Sequence, residues 1–357
     1  MSTWPDRRIL DLLGVERPII LAPMAGAALS ELAIAVADAG GLGSLPCAML
    51  NATQVRAELS IIRQRTSRPI NLNFFCHHPP EPDPVREKAW KERLAGYYVE
   101  LGLDPEAPLP SSTRMPFDAA MCDLVVELKP EVVSFHFGLP DKKLLARVRD
   151  TGAKILSSAT TVDEARWLEQ EGCDAIIAQG YEAGGHRGMF LTQDISTQVG
   201  TMALVPQVVD AVKVPVIAAG GIADARGIVA ALALGASAVQ LGTAYLFCPE
   251  ATIGAVHRRA LRNTTAQTAV TNVFSGRPAR GIVNRIVREV GPMSDLAPAF
   301  PLASGAVAPL RSKSEAAGSE DFAQMWSGQS AALGRELPAG ELTRLLAAET
   351  LALLATR

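Results

Sequence analysis

Lys154-Ile155-Leu156-Ser157, a helical stretch over 162–170, and then Asp174-Ala175-Ile176-Ile177-Ala178-Gln179-Gly180-Tyr181-Glu182-Ala183-Gly184-Gly185-His186-Arg187-Gly188 make a strand, a helix, a second strand and a glycine-rich loop. The two strands are short apolar runs, as expected where both faces of a parallel sheet are buried. The same alternation extends outward in both directions. Strands are expected at 18–21, 42–44, 70–74, 132–135, 154–157, 174–177, 216–219 and 238–241, with helical segments such as 29–39, 54–64, 162–170 and 225–234 between them. Alternating β and α units predict a parallel sheet. Eight such units fit an α/β fold of the closed (β/α)8 or TIM-barrel type, with an open doubly wound sheet as the competitor.

Two regions break the alternation. Residues 77–114 hold seven prolines around a charged helix near 85–100, an excursion after the third strand. Residues 246–334 follow the eighth strand, are rich in Gly, Ala, Ser and Pro, and are expected to form a small helical subdomain over the barrel mouth. Leucines at helical spacing over 340–356 predict a last helix that docks back on the barrel. The expected division is therefore 1–245 barrel, 246–334 helical subdomain and 335–357 C-terminal helix.

The chain has 357 residues, a net charge of −3 and a 48% hydrophobic content, enough for a large core and with no basic excess to suggest nucleic acid or an anionic membrane. No apolar run reaches roughly 18 residues, so no membrane span is expected. Asp6, Arg7, Arg8 and Asp11 interrupt the first segment, which argues against a secretory signal and for a cytoplasmic protein. The five cysteines, Cys47, Cys76, Cys122, Cys173 and Cys248, have no CxxC spacing and read as thiols rather than a disulfide or zinc framework.

Barrel enzymes build their sites from the loops at the C-terminal ends of the strands. After the first strand, Ala22-Pro23-Met24-Ala25-Gly26 suits close backbone approach to a flat ligand. In the third, Asn71 and Asn73 share a face and need polar partners, either a structural hydrogen bond between loops or a ring edge such as a flavin's. After the seventh and eighth strands come Ala219-Gly220-Gly221-Ile222 and Gln240-Leu241-Gly242-Thr243. Such turns bind phosphate through backbone N–H groups, and barrels place that site here. Neither a P-loop nor a strand–GxGxxG–helix unit is present. His186 in the glycine loop and His136 in Ser134-Phe135-His136-Phe137-Gly138 should both reach the mouth. His77 and His78 are expected at the surface, and His257 on a solvated helix face. No carboxylate pair accompanies the histidines, so no metal is expected.

These elements, together with Asn71-Leu72-Asn73-Phe74-Phe75-Cys76-His77 and Trp326-Ser327-Gly328-Gln329, resemble in order those of the nitronate monooxygenases, over about residues 13–329. The resemblance implies an FMN-dependent (β/α)8 enzyme that oxidises alkyl nitronates, in some members nitroalkanes, with O2 to a carbonyl compound and nitrite. It implies FMN contacts from Asn73, Gln179, Gly220, Gly221, Gln240, Gly242 and Thr243, with Ala22, Pro23, Met24, Gly184, Gly185 and Ala219 in the same cradle. It implies that His186 is the catalytic or substrate-anchoring histidine, with His136 beside it. The partners implied are a small nitronate or nitroalkane and O2, with no nucleic acid and no membrane, on a monomer or homodimer.

Some bacterial members carry a Tyr-Pro-…-Tyr-…-Lys run lining the substrate pocket. Here Phe300, Ser304 and Ala308 stand at those positions. The pocket is therefore expected to be more apolar and less cationic, and to disfavour a carboxylate-bearing nitronate. Two other readings remain open at this point. One is an NAD(P)H-driven reductase of a quinone or enoyl thioester on the same flavin barrel; the other is a flavin-free phosphate-binding isomerase or aldolase.

Overall fold

In the computed structural model, which describes residues 4–110 and 114–356, eight parallel strands form one barrel sheet. The barrel strands are β1 (Ile19–Leu21), β2 (Gly43–Pro46), β3 (Ile70–Phe75), β4 (Val132–His136), β5 (Lys154–Ala159), β6 (Ala175–Gln179), β7 (Val216–Ala219) and β8 (Ala238–Leu241). β1 pairs with β8, with Ile20 opposite Gln240, and a parallel bridge between Ile20 and Leu42 closes the ring against β2. All eight strands lie where their apolar runs predicted them. Residues 111–113, part of the proline-rich excursion, lie outside the described residues.

Alternation along each strand sends side chains in turn to the barrel interior and to the helices. On β3, Leu72 and Phe74 pack outward, Phe74 against Phe117 at 4.9 Å. Asn71 and Asn73 point inward, where each amide donates to a neighbouring strand: Asn71 to Ser44 Oγ at 3.0 Å and Asn73 to Ser134 Oγ at 2.9 Å. The lower interior is apolar. Ile20, Val132, Leu156, Ile177 and Ile217 pack on Ile9, Leu10 and Leu13 of the helix Arg8–Leu13, which plugs the barrel floor. Toward the opposite, C-terminal end the strands carry Asn73, Ser134, His136, Ser157, Ser158 and Gln179.

The segment after β8 is not purely helical, contrary to its composition. It carries the helices Ala255–Arg262, Arg285–Glu289 and Ala303–Ala316, but also the strands Thr268–Thr271 and Ala279–Ile282. The second of these pairs antiparallel with Gly185–His186, with Ala279 opposite His186. The glycine loop is thus the edge strand of a three-stranded sheet whose other strands come from about a hundred residues later. The helix Ala339–Ala355 packs on Ser30–Asp38 and Ala225–Ala233, back on the barrel wall. No helix among the described residues is long and apolar enough to cross a membrane.

Candidate active site

His186 sits at the mouth with a partly exposed edge, walled by aromatic rings. Phe300 lies 5.2 Å away, Trp326 5.4 Å, Phe137 6.0 Å and Phe75 6.2 Å, centroid to centroid. Its Nε2 is 2.9 Å from Ser275 Oγ. Its backbone carbonyl accepts from Gln179 Nε2 at 3.0 Å and from His136 Nε2 at 3.2 Å, while Gln179 Oε1 accepts from Gly188 N–H at 2.7 Å. Gln179 and His136 therefore fix the loop that carries His186.

His136 has both ring nitrogens engaged. Nε2 faces a carbonyl and must donate, so Nδ1 accepts, and Ser158 Oγ at 3.0 Å is its donor. That arrangement holds one neutral tautomer. Burial, reinforced by the charge of Arg277, pushes the His136 pKa down to about 3. His186 is likewise held well below its ordinary value, first by burial, then by the charges of Arg114, His136 and Arg277. Both histidines are uncharged at neutral pH in a field that is net positive.

His77 is not at the surface. It is buried, with its ring 4.8 Å from Phe300, hydrogen-bonded to the backbone of Arg114 and lowered to about 4 by burial and Arg277. Its proline-rich context mimics a solvated loop, but Phe300, far away in sequence, covers it; His78 alone is exposed. His257 is also drawn inward. Its Nε2 lies 3.1 Å from the Trp326 carbonyl, and burial lowers it to about 4, so its helix face is a packed one.

The sequence reading missed Arg277, Ser275, Phe137 and Arg114. Arg277 lies 3.9 Å over the Phe137 ring, donates to the Met189 carbonyl, and keeps a buried Nε without a hydrogen-bond partner among the described residues. Phe137 itself adopts φ 72°, a costly conformation for an aromatic residue and one that turns its ring into the site. For Ser275 and Arg277 the only sequence signal was a short Ser275-Gly276-Arg277-Pro278 turn between two strands, while Phe137 stood in the Ser134-Phe135-His136-Phe137-Gly138 element without a role of its own. Arg187, by contrast, is spent on structure: it is fully buried and donates to the Gly180 and Gln179 carbonyls and to Gln198.

Beside this cluster lies a cradle built from the turns after β1, β7 and β8. Gly220 (φ 113°) and Gly221 (φ 70°) need glycine for the turn itself. Gly242 does not: a Cβ there would meet only Ala22 and the Met24 sulfur, at 3.4 and 3.6 Å. Among the described residues no protein group accepts from the N–H of Gly221 or Gly242. Thr243 Oγ1 accepts from Gly328 N–H at 2.9 Å, which ties Trp326-Ser327-Gly328-Gln329 to the same corner, and Gly184 lies so close to Gly328 that a Cβ would stand 2.5 Å from its nitrogen. On the barrel side, Gln240 Oε1 and Asn71 Oδ1 are buried without a partner. Unsatisfied buried acceptors are rare and costly, so these call for a donor that the protein does not supply.

Phe300 belongs to the ring cluster, whereas Ser304 and Ala308 line a cavity of about 180 Å³ together with Arg114, Arg311 and Gln324. Two arginines from other positions, Arg114 and Arg311, line that cavity. Among the described residues no group of three His, Cys, Asp or Glu side chains gathers for a metal.

A family model described as nitronate monooxygenase matches residues 6–349. The chain belongs to the nitronate monooxygenase family. Among its curated relatives are nitronate monooxygenases from Pseudomonas aeruginosa, 44% identical over 96% of this chain and 98% of the relative, and from Paraburkholderia phytofirmans, 43% identical over 96% and 94%. A nitroalkane oxidase from Streptomyces ansochromogenes superposes with a TM-score of 0.89 at 40% identity, covering 98% of this chain and 99% of that one. FabK from Thermotoga maritima follows at 0.74 and 28% identity, covering 99% and 98%. As a member of the nitronate monooxygenase family the chain is an oxidoreductase on a TIM barrel.

Proposed function

We propose that this enzyme binds FMN and oxidises alkyl nitronates with O2, giving a carbonyl compound and nitrite. The observation that carries the reading is an uncharged His186 in an aromatic box beneath arginine charges, beside a cradle with orphaned acceptors. A nitronate is an anion. A site that holds its histidines neutral and its arginines charged favours that anion over the neutral nitroalkane.

The residues present fit FMN. Gln240 Oε1 and Asn71 Oδ1 would take the donors of a ring edge, with Ala22, Pro23 and Met24 along its flank. The N–H groups of Gly220, Gly221, Gly242 and Thr243 would take its phosphate. When bound, FMN would supply the electron acceptor for the substrate and the route of those electrons to O2, chemistry that no side chain here provides. His186 would hold the nitronate oxygens through Nδ1–H when Ser275 donates to Nε2, and His136 and Gln179 would position it through its carbonyl. The phenyl rings of Phe75, Phe137 and Phe300 would exclude water.

The test is an absorption spectrum of the purified protein, then aerobic turnover with propyl-2-nitronate, with 2-nitropropane and with NADH. A yellow protein that turns over the nitronate fastest supports the reading. A colourless protein, or one whose flavin is bleached rapidly by NADH while nitronate is inert, overturns it.

A further inference from the structure

Glu164, on the helix Val162–Gln170 that follows β5, is fully buried. Four hydrogen bonds reach its carboxylate, each from a neutral donor. Oε2 accepts from the Thr160 N–H and from the Thr160 hydroxyl, both at 2.7 Å. Oε1 accepts from the N–H groups of Phe190 and Leu191, at 2.6 and 3.2 Å. Burying a carboxylate away from water is costly unless hydrogen bonds replace its hydration, and these four do so. Thr160 lies just past the end of β5, whereas Phe190 and Leu191 end the loop that carries His186. Glu164 therefore ties that loop to the barrel.

The same acid reaches the beginning of the loop. Thr160 Oγ1 accepts from Gln198 Nε2 at 2.9 Å, Gln198 Oε1 accepts from Arg187 Nε at 2.9 Å, and Arg187 donates to the Gln179 and Gly180 carbonyls, each at 2.8 Å. Next to the clamped N–H groups, the Met189 carbonyl accepts from Arg277, whose guanidinium lies over the Phe137 ring. The Phe190 ring packs 5.2 Å from Trp167 of the same helix and against Gly138, where a Cβ would stand 3.2 Å from it. Burial lowers the Arg277 pKa to about 10, and the charge of Glu164 works against that fall.

We infer that Glu164 is a positioning residue for the site: it clamps residues 190–191 against the end of β5 and, through the Met189 carbonyl between them and the loop, holds Arg277 over Phe137. Its length matters more than its charge, because the clamp works by bridging two elements. The inference rests on the reading that the box around His186 and Arg277 receives an anion. With the clamp released, the anion meets a guanidinium no longer held in place, and binding suffers before chemistry does.

The experiment separates reach from charge. Glu164→Asp keeps the charge but is one methylene too short to span Thr160 and the loop. Glu164→Gln keeps the length and an acceptor oxygen for the loop, with its NH2 turned to the Thr160 hydroxyl, which can accept. Hydrogen–deuterium exchange over residues 187–191 is followed in both variants and in wild type, together with kcat and KM for propyl-2-nitronate. In Glu164→Asp, exchange of that segment should be about tenfold faster and KM about tenfold higher, the scale of one lost charge-assisted hydrogen bond, with kcat within about threefold of wild type. In Glu164→Gln, exchange and KM should both stay within about threefold of wild type. A Glu164→Asp protein with unaltered exchange and KM, or a Glu164→Gln protein as impaired as Glu164→Asp, overturns the clamp; the second result does so even where Glu164→Asp fails to fold. If wild type leaves the nitronate untouched while exchange still quickens in Glu164→Asp and not in Glu164→Gln, the nitronate reading falls and the clamp stands.

Discussion

Ser275 has a single proton and two places to put it, His186 Nε2 at 2.9 Å and the Arg277 carbonyl at 3.4 Å. Given to His186, it leaves Nδ1–H to donate to an anion; given to Arg277, it leaves Nδ1 as a lone pair able to take a proton. The depressed His186 pKa makes that lone pair a weak base, so the anchoring role is the one its surroundings support. Because His186 is neutral throughout, kcat/KM on a preformed nitronate should be flat from pH 8 down to pH 6 (stopped-flow or oxygen-electrode rates), and a limb with its midpoint near 6.5 would contradict an anchoring neutral ring. His186→Asn should lower kcat/KM for the nitronate roughly 10- to 100-fold, the worth of a hydrogen bond to a charged group. His186 was legible in sequence because glycines mark a loop that approaches a ligand. His77 and Arg277 were not, since packing against residues far away in sequence, Phe300 for the one and Phe137 for the other, leaves no local trace.

At the scale of elements, the strands were legible because a buried parallel strand is apolar on both faces, and the turn after β7 because only glycine permits the positive φ of Gly220 and Gly221. The edge strand Gly185–His186 was hidden: two residues carry no period, and its partner, Ala279–Ile282, is distant in sequence. Gly242 separates a ligand's demand from the fold's. Its backbone suits any residue and its Cβ would meet ordinary contacts, so Gly242→Ala should melt within about 2 °C of wild type, the range of a neutral surface change. The same methyl stands where the cradle would receive a phosphate, so the purified variant should carry less than half the wild-type flavin, read at 450 nm. The floor plug makes the opposite prediction. Ile9 is fully buried among β-strand residues far from the mouth. Ile9→Ala should cost about 2–5 kcal/mol in chemical denaturation, with flavin content and kcat retained.

Over the whole molecule, four of the five histidines resist protonation. His136 is lowered to about 3, His77 and His257 to about 4, and His186 well below 6.5, all chiefly by burial. The unfolded chain takes up those protons near 6.5, and the folded chain does not. The folded state therefore keeps its full stability above pH 6.5 and loses it as pH falls from 6.5 toward 4, at up to about 1.4 kcal/mol per pH unit for each histidine that stays neutral. Thermal melts at pH 7.5 and 5.5 should differ by several degrees, with the lower value at pH 5.5, and equal melts would show that these rings protonate freely in the fold. The overall architecture was legible because it repeats one βα unit; the later strands were not, because they complete a sheet begun in the barrel. That sheet has a consequence for the nascent chain. The ribosome finishes the barrel at Leu241, but the partner strand of His186 ends only at Ile282. At roughly 5–20 residues per second, seconds of translation separate the two. The barrel can close first, and the histidine acquires its register afterwards, so the emerging protein passes through a stage with its scaffold built and its chemistry unassembled.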